Sequence, residues 1–219
     1  YVATESTTSQ LQIIQVSNGG RTLSVVGQAN VGSQEAKDVF VNSSETRAYL
    51  ATGSSASQKE FFIIDVSTKT GNRPTVGSYE ANGMSPKGVT VVPGKKAILV
   101  GTNGEEYQVI DISNETNPTR CGGLNIDSGV NGISSVLEQD GDTYSYIITG
   151  DVGAEFKIIE GPATSGTYTS PIFDAGADVM FNRFTVNHTV PSSTSIQYEV
   201  AVATAVNNSC SGAIFSYAG

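Results

Sequence analysis

One segment of this chain returns at nearly even intervals, and that return limits the folds open to it more than any other feature. Glu60-Phe61-Phe62-Ile63-Ile64-Asp65-Val66-Ser67 reappears as Glu106-Tyr107-Gln108-Val109-Ile110-Asp111-Ile112-Ser113. An earlier copy is Gln10-Leu11-Gln12-Ile13-Ile14-Gln15-Val16-Ser17, and a weaker fourth is Glu155-Phe156-Lys157-Ile158-Ile159-Glu160. The steps from Leu11 to Phe61, Phe61 to Tyr107 and Tyr107 to Phe156 are 50, 46 and 49 residues. A period of that length implies one supersecondary unit repeated along the chain.

Within each period the apolar runs are short and bounded by turn residues. Asp38–Val41, Ala48–Gly53, Phe61–Ser67 and Thr75–Tyr79 make four strands in one copy. The next copy supplies Gly88–Val92, Ala97–Gly101, Tyr107–Ser113 and Gly122–Ile126. A third holds Gly132–Val136, Tyr144–Ile148 and Phe156–Ile159. The first holds Tyr1–Thr4, Leu11–Val16 and Leu23–Val26, without an opening strand. Runs such as Phe61–Ile64 and Ile147-Ile148 suit strands covered on both faces, and no window of eleven or more residues carries helical periodicity. The expectation is an all-β chain, a β-propeller of about four blades with the first one incomplete, spanning residues 1–160. Closing such a ring needs a strand from upstream, from the C-terminal region or from another subunit. An edge left open would invite strand pairing and homo-oligomers.

These residues resemble the LVIVD repeat family. The likeness is carried by Ala48-Tyr49-Leu50-Ala51-Thr52-Gly53, Phe62-Ile63-Ile64-Asp65-Val66-Ser67, Arg73-Pro74 and Val76-Gly77-Ser78-Tyr79. It returns in Val109-Ile110-Asp111-Ile112-Ser113 with Asn117-Pro118. In the outer copies Gln15 and Glu160 replace the aspartate. The resemblance implies a propeller in a bacterial or archaeal surface protein, with no settled activity attached. The aspartate itself is expected to organise a turn through side-chain-to-backbone hydrogen bonds.

Gly161-Pro162-Ala163-Thr164-Ser165-Gly166 breaks the pattern and reads as a linker. Beyond it, Tyr168–Gly176, Phe181–Val186 and the alternating Ser195–Val202 resemble a small β-sandwich-like module over 167–219, of the kind that follows such repeats in pilin-like surface proteins. Tyr1 opens the sequence without a Met inside a strand-like run, and Gly219 follows another. The chain therefore reads as a fragment of a longer polypeptide. No apolar run is long enough to insert directly into a membrane as a helix.

The formal net charge is -9 with a pI near 4.5, so nucleic acid, which needs clustered Lys and Arg, is not an expected partner. Ser, Thr and Asn outweigh Lys and Glu at polar positions, a secreted or cell-surface habit. Cys121 and Cys210 either stand as separate thiols or form one long-range disulfide in an oxidising compartment. Four sequons, at Asn42, Asn114, Asn187 and Asn207, arise readily in so Asn- and Ser-rich a chain.

Candidates for chemistry are few. His188, the only histidine, would have to anchor any triad or histidine metal site, yet it reads as a surface residue of a strand. Paired acids for glycoside hydrolysis would come from Glu105-Glu106, Asp140 with Asp142, or Asp151 with Glu155. Each pair falls in a turn, where solvated acids are ordinary. Asp140 and Asp142 offer oxygen ligands to Ca²⁺, although the EF-hand spacing and its terminal Glu are missing. No other cofactor is expected. The function expected is a non-catalytic extracellular or cell-surface protein, such as the exposed head of a pilin-like or adhesive subunit, binding a protein or polysaccharide partner. The alternative is a secreted propeller hydrolase or lyase acting on an extracellular polymer.

Overall fold

The computed structural model describes residues 1–126, 128–138, 142–161, 168–173, 175–177, 179–180, 183–190, 195–202 and 216–217. The chain divides into two compact units, Tyr1–Gly166 and Thr167–Gly219. The described residues contain strands, turns and one short 3-10 turn, with no α-helix.

The first unit is a succession of four sheets in chain order, antiparallel throughout except for one short parallel strand added to the first. The second sheet joins β4 (Ala36–Val41), β5 (Arg47–Thr52), β6 (Phe61–Asp65) and β8 (Thr75–Tyr79) in that order. The third repeats the plan with β9 (Ser85–Val92), β10 (Lys96–Thr102), β11 (Tyr107–Asp111) and β12 (Thr119–Leu124). The fourth has three strands, β13 (Val130–Leu137), β14 (Thr143–Thr149) and β15 (Phe156–Glu160). In the first, β1 (Val2–Ala3) occupies one edge, followed by β2 (Leu11–Ser17) and β3 (Thr22–Ala29). A two-residue strand from the second repeat, β7 (Gly71–Asn72), pairs parallel to the far side of β3.

Each apolar run expected from the repeat forms a strand, with ends that differ by one to three residues. Asp65 ends β6 although the apolar run continues to Val66, because its side chain turns back on the chain. The Ser67 N–H donates to Asp65 Oδ1 at 2.9 Å, and Ser113 does the same to Asp111 Oδ1 at 2.8 Å. This is the turn-forming role expected of the repeated aspartate.

Alternation along the strands sends side chains to both faces of the middle sheets, and both faces are covered. Leu11, Ile13 and Ala29 of the first sheet pack with Ala48, Leu50, Phe62 and Ile64 of the second. The opposite face of the second sheet gives Tyr49, Ala51, Phe61 and Ile63 to a cluster with Val89, Leu99 and Ile110 of the third. Ile98, Val100 and Tyr107 then meet Val130 and Ile147 of the fourth. The core is thus three layers between four sheets, which is why runs such as Phe61–Ile64 are unbroken by polar residues.

Glycine sets the spacing between sheets at one repeated place. Gly27 and Gly77 stand opposite Ile13 and Ile63 in their respective ladders. A Cβ on Gly27 would overlap the carbonyl oxygen of Lys69, and one on Gly77 would overlap that of Glu115. Lys69 and Glu115 occupy the same place in successive repeats, four residues after Asp65 and Asp111. The missing side chain lets the turn of the next sheet come down onto the outer strand.

The second unit is described in part. Its regular pairing among described residues is one two-residue antiparallel ladder, β16 (Glu199–Val200) with β17 (Ser216–Tyr217). The described stretch 183–190, which includes His188, has no strand, and the longer strand expected over Ser195–Val202 shrinks to Glu199–Val200. Alternation in that sequence marks apolar positions, but a strand also needs a neighbour to pair with, and sequence periodicity does not supply one.

Candidate binding surface

The repeat carries a second polar device at the start of the recurring segment. Gln10, Glu60 and Glu106 precede β2, β6 and β11, and all three are buried. Each accepts a backbone N–H from two residues beyond the last strand of its own repeat. Val31 donates to Gln10 Oε1 at 3.0 Å, Ala81 to Glu60 Oε2 at 2.9 Å, and Ile126 to Glu106 Oε2 at 2.8 Å. Glu60 also accepts the Ser55 N–H at 3.0 Å, and Gln10 donates to the Gly32 carbonyl at 2.6 Å. The carbonyls of Gln10, Glu60 and Glu106 close the neighbouring hairpins by accepting from Thr4, Thr52 and Gly101. One side chain therefore ties a hairpin loop to the connection that leads into the next sheet. Burial pushes the Glu60 carboxyl up from its usual range, against the pull of the two N–H donors.

The loops fixed in this way carry short hydroxyl and amide side chains. In the β1–β2 loop the Thr8 N–H donates to Ser6 Oγ at 3.3 Å, and in the β5–β6 loop Ser57 does the same to Ser55 Oγ at 3.2 Å. Gln58 bridges to the connection after the first sheet, donating to Ser33 Oγ at 2.8 Å and accepting the Ser33 N–H at 2.9 Å. Thr7, Thr8, Ser54 and Ser57 are exposed at the tips. Serine turns of this kind set the loop backbone locally.

At the other end of the sheets the charges pair. Arg47 Nε reaches Glu115 Oε2 across the second and third sheets at 2.8 Å, and its Nη1 lies 3.6 Å from Asp65. Lys96 pairs with Asp111 at 2.7 Å, and this ammonium together with Ser113 holds the Asp111 carboxyl down at about 2. An open cleft of about 520 Å³ lies here between the two sheets, with Tyr49, Val91, Lys95, Ile112 and Glu115 among its lining residues.

Of the acids singled out in the sequence, Glu105 and Glu106 take separate partners, as do Asp151 and Glu155. Glu105 is held by Arg120, with Nε and Nη2 at 2.9 and 2.6 Å, and the guanidinium keeps its carboxyl below the usual range. Its neighbour Glu106 is buried on the Ile126 amide, so the two take separate partners. Asp151 meets Lys157 at 2.8 Å and the Gly153 N–H at 2.9 Å, while Glu155 is exposed. Asp140 lies outside the described residues, so the proposed Asp140–Asp142 calcium pair has only Asp142 in view. The carbonyl of Asp142 accepts the Glu138 N–H at 2.9 Å. Among the described residues no three of His, Cys, Asp and Glu gather as a metal site would require. His188 is exposed, with its ring 5.4 Å from that of Tyr198. Cys121 is an exposed free thiol, and Cys210 lies outside the described residues.

Sequence reasoning passed over the buried Gln10–Glu60–Glu106 series and treated Glu105-Glu106 as one unit. The signal was available in the repeat itself, since a polar residue stands immediately before the apolar run in all four copies. No protein-family model matches this sequence, and no curated protein matches it.

Proposed function

We propose that the four sheets are blades of a propeller-like array and that the chain is a non-catalytic extracellular or cell-surface protein that binds polysaccharide. The observation that carries this reading is the pair of preorganised loops, β1–β2 and β5–β6, that bring hydroxyl and amide side chains to one end of the first two sheets. Gln10 and Glu60 fix their bases. Serine turns at Ser6 and Ser55 shape their tips. Sugars present many hydroxyls and little charge, and rigid loops that already have their backbone set lose little entropy on meeting them. Of the acids weighed for hydrolysis, Glu105 is engaged by Arg120 and Asp151 by Lys157, which favours binding over cleavage at those two positions. The LVIVD resemblance and the secreted-type composition support a place at the cell surface.

The test is affinity electrophoresis through gels containing xylan, alginate, mannan or soluble peptidoglycan. At least one polymer should retard the chain. The triple substitution Ser55→Ala, Ser57→Ala, Gln58→Ala should weaken that retardation about tenfold, and Glu105→Gln should leave it unchanged. New reducing ends appearing on incubation with the retained polymer, and lost in Glu105→Gln, would replace the binding reading with the hydrolase one.

A further inference from the structure

We infer that a second copy of this chain docks head to tail, its first sheet covering the open face of the fourth sheet. Ala51 faces Phe61 and Tyr49 faces Ile63 in the second sheet. Val100 faces Tyr107 and Ile98 faces Val109 in the third. Ile148 faces Phe156 and Tyr146 faces Ile158 in the fourth. These are the same four places in successive repeats. In the second and third sheets they pack into the core against the sheet that follows. In the fourth, Ile148, Phe156 and Ile158 are each more than half exposed, and the Tyr146 and Phe156 rings stack at 6.0 Å. The fourth sheet therefore keeps the face that receives a next sheet.

Part of the opposite half of that contact is present at the other end of the same unit, on β2 and β3, while the opening strand through which β4, β9 and β13 meet the preceding sheet has no counterpart in the first sheet. Ile64 with Val66, and Ile110 with Ile112, pack into the clusters that the second and third sheets make with the sheet before them. Their counterparts in the first sheet are Ile14 and Val16. Val16 is exposed, as are Leu23 and Val25 beside it on β3. One chain thus carries an acceptor face and the β2–β3 part of a donor face of an interface it already makes three times internally. A repeat of that contact between copies is heterologous, so it either closes a ring or propagates. The occupant is a second copy because the first sheet is a surface of the matching repeat type, and burying the two apolar faces supplies the drive. The inference rests on the blade reading of the sheets and not on polysaccharide binding.

The experiment uses the 219-residue chain in light scattering coupled to size exclusion, from about 5 to about 200 µM. The wild type should associate, and Ile158→Glu and Val16→Lys, the latter at the position where Val66 and Ile112 are buried, should each be monomeric. Mixed together, these two variants should form a capped dimer, since one retains the donor face and the other the acceptor face. That recovery separates head-to-tail docking from a symmetric contact, which both substitutions would still impair in the mixture. Should either charged variant fail to show a cooperative urea transition, Ile158→Ser and Val16→Ser replace them in the same mixing assay. A wild type that stays monomeric to about 200 µM overturns the inference, as does a mixture that does not recover association. A monomeric chain that still binds polysaccharide sinks this contact alone and leaves the binding reading standing.

Discussion

Removing the Glu60 side chain tests the buried latch directly. In Glu60→Ala the Ala81 N–H, on a fully buried residue, loses its acceptor, and an unpaired buried donor costs about 1–3 kcal/mol. The Ser55 N–H also loses Glu60, but Ser55 is only half-buried, so water takes much of that role. Loss of the buried methylene adds about 0.8 kcal/mol. Relief of the carboxylate's burial works in the other direction, and the net loss should be about 2–3 kcal/mol. With a urea slope of about 2 kcal/mol/M, the midpoint should fall by about 1–1.5 M. Tyrosine fluorescence can follow the transition, because the chain has nine Tyr and no Trp.

The same variant has a pH signature. Burial raises the folded pKa of Glu60, so the wild type gains stability as pH falls through that pKa and holds the full gain below about 4.3, the unfolded value. The alanine variant has no such gain, and the gap between the two should widen on acidification. Glu155, the counterpart in the fourth repeat, is exposed, so Glu155→Ala should shift the midpoint by less than about 0.2 M. Equal losses at Glu60 and Glu155 would refute the latch, because the two positions share sequence context and differ in burial.

Three further outcomes follow from the packing. Asp111 is depressed to about 2 by Lys96 and Ser113, so its contribution is present above about 4 and lost as pH falls toward about 2; Asp111→Asn should flatten the stability profile across that window in acid-dependent urea melts. Gly77→Ala should cost about 1–3 kcal/mol through overlap with the Glu115 carbonyl, whereas Gly122→Ala, where a Cβ meets nothing within 4 Å, should stay within about 0.5 kcal/mol in the same melts. Arg47→Met should cost about 1 kcal/mol, and the loss should shrink in high salt, since the side chains of Arg47 and Glu115 remain partly open to solvent.

The strands were legible because their signal is local. Apolar runs such as Phe61–Ile64 and Ala97–Val100 specify a covered strand whatever lies next to them, and Asp65 and Asp111 announce their turns within three residues. Contacts made between repeats left fainter traces. Glu60 reads as one more polar loop residue until Ala81, 21 positions on, is seen to donate to it. Gly77 reads as a strand defect until the Glu115 turn descends on it. Both were recoverable by aligning the copies, since Gly27, Gly77 and Gly122 face Ile13, Ile63 and Val109 in the same ladder position. His188 shows the limit of periodicity in the other unit, where alternation in the flanking sequence does not yield a strand among the described residues.

The small parallel strand β7 gives the first sheet a dependence in time. Gly71 and Asn72 pair with Gly27 and Gln28, the Arg73 N–H donates to the Gln28 carbonyl at 2.7 Å, and Gln28 Nε2 donates to Asn72 Oδ1 at 3.1 Å. These bonds come from the excursion between β6 and β8, so the outer edge of the first sheet stays bare until the ribosome has delivered most of the second repeat. Synthesis at about 5–20 residues per second leaves β3 waiting for seconds with an unpaired edge beside the apolar Leu23 and Val25. The stitch then covers the Gly27–Gln28 end of that edge and ties the first two repeats together, so nascent chains arrested before Gly71 should be more prone to aggregate than those arrested after Tyr79.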